Sequence, residues 1–101
     1  MDWDIRGKYC IVSGASSGIG REIALGLAKL GARVIIVCRD AGRGQKALDY
    51  IIGNGGNPEV ELMPADLSSQ SEIRGLAKAY RTRHDRLHIM VNNAEIGRAH
   101  V

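Results

Sequence analysis

Three stretches of strand length, residues 9–12, 34–38 and 87–91, are almost wholly apolar, and a fourth at 59–63, EVELM, alternates polar with apolar side chains. A strand that is apolar on both sides must be covered on both sides, as in a parallel sheet between two helix layers. Alternation marks a half-covered strand instead. The third strand is therefore expected at a sheet edge.

The intervening segments have helical spacing. Residues 19–30 bring Ile19, Ile23, Leu27 and Leu30 to one face, and residues 43–52 carry Leu48, Ile51 and Ile52 before the turn-forming GNGGNP that starts at Gly53. A third helix is expected to open at Ser69-Gln70-Ser71-Glu72, where the serine caps the helix and the glutamate reaches back. Its apolar stripe is Ile73, Leu76, Ala77 and Tyr80. Strand and helix alternate as β-α-β-α-β-α-β, which predicts the α/β class with right-handed crossovers. An edge third strand fits the order 3-2-1-4, the N-terminal half of a doubly wound Rossmann fold.

At 101 residues and a formal charge of +3, the chain is one small domain with basic residues spread along it, which argues against nucleic acid as partner. The acidic start, Met1-Asp2-Trp3-Asp4, is unlike a signal peptide, and no apolar run approaches the ~20 residues of a bilayer span. A cytoplasmic location is the expectation. Cys10 and Cys38 fall within predicted strands, where free cysteine acts as a small buried hydrophobe. No metal site is expected, and His84, His88 and His100, without partners at ligand spacing, read as surface residues.

The segment CIVSGASSGIGREIA sets Gly14, Gly18 and Gly20 between the first strand and the first helix. Glycines there let the backbone turn tightly and approach a ligand, while the unpaired N–H groups at the helix start attract an anion such as a phosphate pair. A glycine-rich turn that binds nothing is the alternative.

With ADLSS after the third strand and VNNA after the fourth, this Gly-x-x-x-Gly-x-Gly spacing resembles the short-chain dehydrogenase/reductase family. The family's Thr-Gly-x-x-x-Gly-Ile-Gly pattern matches residues 13–20, Ser13 keeping the threonine hydroxyl. The resemblance covers essentially residues 5–94. It implies that Gly14, Ser16, Ser17, Gly18, Ile19 and Gly20 form the cofactor turn and that Asp66, with Leu67 beside it, meets the adenine ring. It also implies that Asn93 and Ala94, after Asn92, line the adenosine ribose and hold the sheet centre. As bare residues, Asp66 could equally be a turn residue before a helix, and Asn92 a strand-end cap.

The choice of cofactor rests on the end of the second strand. An acid there, about 20 residues past the glycines, would accept the ribose 2′-OH, whereas an arginine pairs with a 2′-phosphate. That place falls at Cys38 followed by Arg39. A thiol cannot replace a carboxylate and a guanidinium grips phosphate in a fork, so NADP(H) is expected over NAD(H). Asp40 is expected to cap the second helix.

The resemblance further implies hydride exchange between nicotinamide and an alcohol or carbonyl carbon, with a tyrosine as general acid/base and a lysine four residues on. Four places after Tyr9, Tyr50 and Tyr80 stand Ser13, Asn54 and His84, so no Tyr-x-x-x-Lys is present and no catalytic residue is assigned. VIIVCRD and GNPEVELMPADLSS look most like the retinol-dehydrogenase-like branch, which implies a lipophilic alcohol or carbonyl substrate.

After Asn92-Asn93-Ala94 the family has glycine, but Glu95 follows, and EIGRAHV resembles nothing in the family. It back-translates as GAG ATC GGA AGA GCA CAC GTC, which looks like a sequencing-library adapter. The expectation is a partial NADP-binding domain over 1–94 and a non-native tail over 95–101, hence a fragment of an intact parent, with homo-oligomerisation of that parent left open. Alone, such a piece is expected to expose apolar sheet and to be insoluble or loosely folded. A stand-alone, non-catalytic NADP(H)-binding or regulatory module is the competing reading.

Overall fold

In the computed structural model of the chain the described residues are 4–93; Ala94 and the tail 95–101 lie outside them. Strands β1 (Tyr9–Ser13), β2 (Arg33–Cys38), β3 (Val60–Pro64) and β4 (Ile89–Val91) alternate with helices α1 (Gly18–Lys29), α2 (Ala41–Gly55) and α3 (Gln70–Arg83). All pairings are parallel and the order is β3-β2-β1-β4, as the patterning predicts. Tyr9 to Ser13 pair with Arg33 to Val37, and Cys10, Ile11 and Val12 with Ile89, Met90 and Val91.

Because side chains alternate across a strand, the two faces bury different sets. Cys10, Val12, Val34, Ile36 and Cys38 pack with Ala24, Leu25 and Ala28 of α1 and Ala47 and Ile51 of α2. The opposite face joins Ile11, Ile35, Val37 and Met63 to Tyr80 of α3. Both cysteines are free and buried. Burial pushes both thiols up.

Several details differ from the pattern reading. Ile19 and Leu30, assigned to the inner face of α1, are 72% and 59% exposed. The face against the sheet is instead Gly20, Ala24 and Ala28, at intervals of four, with Leu25. Small side chains bring the helix axis close to the strands, and Ile23 and Leu27 are left to pack at the margin. Helix α2 runs past Gly53 to Gly55 and is closed by the left-handed Gly56 at φ 65°. Each helical glycine costs about 1 kcal/mol. Packing does not require glycine at the end of the helix, since a Cβ on Gly55 would make ordinary contacts, 3.4 Å from the Ala28 Cβ and 3.5 Å from Leu25.

Strand β4 is shorter than 87–91 because its ladder is interrupted at the start. The Tyr9 amide donates to the His88 imidazole Nδ1 at 3.0 Å. His88 is exposed, as expected, but His84 is half-buried, its Nε2 bonding Glu61 Oε1 at 2.7 Å and its side chain 18% exposed.

On the α3 face, Ile73 is 42% exposed, Leu87 45% and Met90 59%. With Ile11, Leu76 and Ala77 they line an open apolar groove of about 780 Å³. No helix among the described residues is long and apolar enough to cross a membrane.

Candidate functional site

In a parallel sheet all carboxyl ends lie on one rim. Here that rim collects the segments after Ser13, Cys38, Pro64 and Val91. The crevice beyond those ends, between the central strands, is where open α/β sheets hold ligands.

At its middle, Gly14 and Gly18 take left-handed φ values of 65° and 62°, which a side chain would strain. Gly14 N donates to Val37 O at 3.0 Å, fixing the start of the turn to β2. Gly20 serves packing instead. A Cβ there would fall 2.2 Å from Gly14 O and 2.7 Å from Asn93 Nδ2.

The turn delivers the chain to α1 through Ser17, whose extended N-cap backbone carries no side-chain cap bond, and no acid stands in the first turn. The other helices are finished differently. Asp40 Oδ1 accepts from Arg43 N at 3.1 Å, as expected, and Ser69 Oγ accepts from Glu72 N at 3.3 Å. Among the described residues the first amides of α1 thus have no side-chain cap, in a helix whose positive end faces the rim.

The expected box at α3 forms only by half. Glu72 Oε1 accepts the Asp66 amide at 2.7 Å, reaching one turn further back than Ser69. The Ser69 amide donates instead to Asp66 O. Asp66 is a turn residue as well: its Oδ1 accepts from Ser68 N at 2.9 Å and Ser68 Oγ at 2.6 Å. Those Ser68 bonds, hydroxyl first, hold its carboxyl below the usual carboxylate range, and the Arg39 charge adds to the effect against slight desolvation. Hydrogen bonds from the Arg43 and Gly42 amides likewise hold Asp40 down.

Arg39 is exposed at the end of β2, where no carboxylate occupies the place of the buried Cys38. Its charge contributes to lowering the carboxyls of both Asp40 and Asp66. Ser16 is half-buried, Ser17 and Ile19 are exposed, and Leu67 is half-buried beside Asp66.

Residue patterning understated Ser13. It is fully buried, and its hydroxyl lies 3.2 Å from Asn92 Oδ1 and 3.3 Å from Val91 O while accepting the Asn93 amide at 2.9 Å. One hydroxyl therefore ties the end of β1 to the end of β4 and sets Asn93 against Gly20. A polar residue closing an apolar run was the available signal. Among the described residues no cluster could hold a metal ion.

A family model described as short chain dehydrogenase matches residues 8–101. Human dehydrogenase/reductase SDR family member 13 is 42% identical over 93 residues, which are 92% of this chain and 25% of that protein. Bovine retinol dehydrogenase 12 is 39% identical over 95 residues, 94% of this chain and 30% of that protein. The solved Pseudomonas aeruginosa RhlG/NADP active-site complex superposes with a TM-score of 0.81 at 41% identity, covering 90% of this chain and 36% of that one. The chain thus spans between a quarter and a third of the length of these two curated relatives.

Proposed function

Because the chain belongs to the short-chain dehydrogenase family, we propose that the rim holds the adenosine and pyrophosphate of a nicotinamide dinucleotide, NADP(H) in preference to NAD(H). The observation that carries this is the start of α1. A glycine turn with two left-handed residues opens a helix that has no side-chain cap and no acid in its first turn, while Asp40 and Ser69 cap the other two. Amides without a side-chain cap among the described residues, at the positive end of a helix, suit a phosphate pair.

In this reading the amides of Ser16, Ser17, Gly18 and Ile19 receive the pyrophosphate, and Gly14 and Gly20 keep side chains out of its way. Arg39 pairs with the 2′-phosphate. Asp66 and Leu67 border the adenine, the Asp66 Oδ2 being the oxygen outside the Ser68 turn. Asn93 and Ala94 border the ribose, Asn93 held by Ser13. When bound, the dinucleotide supplies or accepts a hydride at an alcohol or carbonyl carbon. Similarity to retinol dehydrogenase 12 supports a lipophilic substrate.

These 101 residues contain no Tyr-x-x-x-Lys. Their part in the reaction is to bind and orient the adenosine half, and proton transfer to the substrate oxygen is assigned to residues of a longer protein. Calorimetric titration of the chain with NADPH and NADH tests the assignment. NADPH is expected to bind more tightly, and Arg39→Ala to weaken it about tenfold to a hundredfold, as loss of one charge-assisted contact should, with little change for NADH. Equal affinities in the wild-type chain, or an unchanged NADPH affinity in the variant, would refute the role of Arg39.

A further inference from the structure

At the amino ends of the strands, opposite the proposed nucleotide rim, one carboxylate holds two consecutive residues. Glu61 of β3 receives Arg83 Nη1 on Oε2 at 2.6 Å and His84 Nε2 on Oε1 at 2.7 Å, just where α3 ends. The His84 amide is the C-cap donor to Tyr80 O at 2.8 Å, so the carboxylate grips the last turn itself. The imidazole is wedged between aromatic rings, 5.0 Å from Tyr9 and 5.1 Å from Tyr80.

Helix α3 has little else to hold it at that end. Tyr80 is its one buried residue among those described, its hydroxyl donating to Arg86 O, and the helix borders the open groove along its length. A polar fastening at the end of a sparsely packed helix bears more on local opening than the same ion pair would on a well-buried element.

We propose that Glu61, Arg83 and His84 form an acid-released clamp that fastens the C-terminal turn of α3 to the edge strand β3. Both bonds need Glu61 as an acceptor on both oxygens, so its protonation removes the Arg83 ion pair and leaves one oxygen carrying a proton. His84 can donate from Nε2 whether or not it is charged, so the switch lies with Glu61. The other titratable or charged groups around it are Tyr80 on α3, whose own ionisation the Glu61 charge disfavours, Tyr9 on β1, Arg33 on β2 and Glu59 just before β3. Arg33 is shared between Glu59, at 3.9 Å, and the Tyr9 hydroxyl, at 3.1 Å. Burial favours the neutral form of Glu61, but the hydrogen bonds from His84 and Arg83 outweigh it and hold the carboxyl below its ordinary value. The clamp is therefore closed near neutrality and opens as the pH falls through that lowered value.

Hydrogen-exchange protection of the 101-residue chain, resolved by residue at about pH 7 and at steps down to about pH 2.5 and corrected for intrinsic exchange, tests the proposal. Amides 81–84 are expected to lose at least about tenfold more protection than those of β2 on acidification. Glu61→Gln should show weak protection of 81–84 already at the highest pH and no extra loss at the lower ones. Parallel loss in α3 and β2, or a wild-type response in Glu61→Gln, overturns the clamp. Should Glu61→Gln fail to fold, Arg83→Gln, at an exposed site, is decisive: a diminished acid response supports the clamp and a full one overturns it.

Discussion

At the scale of single residues, the glycines of the first turn do two separate jobs. Gly14 and Gly18 are needed for their backbone angles, and Gly20 for the absence of a Cβ. That division was not legible from spacing, because spacing marks a glycine without saying whether conformation or contact requires it. Gly20→Ala should destabilise the chain by about 1 to 3 kcal/mol, since the new methyl meets the Gly14 carbonyl, backbone that cannot swing aside. Urea unfolding of the variant checks this; an unchanged midpoint would show that the turn has slack. Arg39, Asp40 and the glycine positions were readable because each sits next to a strand or helix boundary that the apolar pattern locates. Ser13 was only half readable: the hydroxyl was visible, but its partners Asn92 and Asn93 are 79 and 80 residues away, and only the pairing of β1 with β4 brings them together.

Among the elements, the helix starts give the sharpest contrast. Ser69 accepts a cap bond and Ser17 does not. Ser69→Ala should lower stability by about 1 kcal/mol, whereas Ser17→Ala, measured without nucleotide, should stay within about 0.3 kcal/mol of the parent. Matched denaturation curves for the two variants decide it, and an equal loss at both sites would mean that α1 is capped like its neighbours. Strand identity and order followed from burial: continuous apolar runs became β1 and β2 in the sheet interior, and the alternating run became the edge strand β3. The inner face of α1 was misassigned because large apolar residues dominate a periodicity count. Gly20, Ala24 and Ala28 bury little area each, yet they decide how near the helix lies to the sheet.

Over the whole molecule, the two sides of the sheet are unequally covered. Helices α1 and α2 close one side, while α3 leaves Met90, Leu87 and Ile73 around the apolar groove. A face of this kind favours self-association. Light scattering of the chain should show aggregation that rises with concentration, and Met90→Lys should reduce it without lowering the thermal midpoint. Monomeric behaviour of the parent at high concentration would contradict this. Acid should also weaken the fold as a whole. Asp40, Glu61 and Asp66 all have lowered carboxyl pKa values, so their contribution is present above the ordinary carboxylate range, is lost as pH falls through the lowered values, and is expected to reduce the melting temperature below about pH 4.5. The architecture was legible because it follows from which strands must be covered twice. The open groove was legible only as an expectation, since its lining comes from β1, α3 and β4 together.

The central claim is that the uncapped start of α1 receives the phosphates of a dinucleotide. Backbone amide shifts of the isotope-labelled chain during titration with NADPH test it most directly. The account predicts saturable shifts concentrated at residues 14–20, with smaller ones at Arg39 and Asp66. Saturable binding that leaves 14–20 unmoved, or no shift anywhere at millimolar nucleotide in a folded chain, would contradict it.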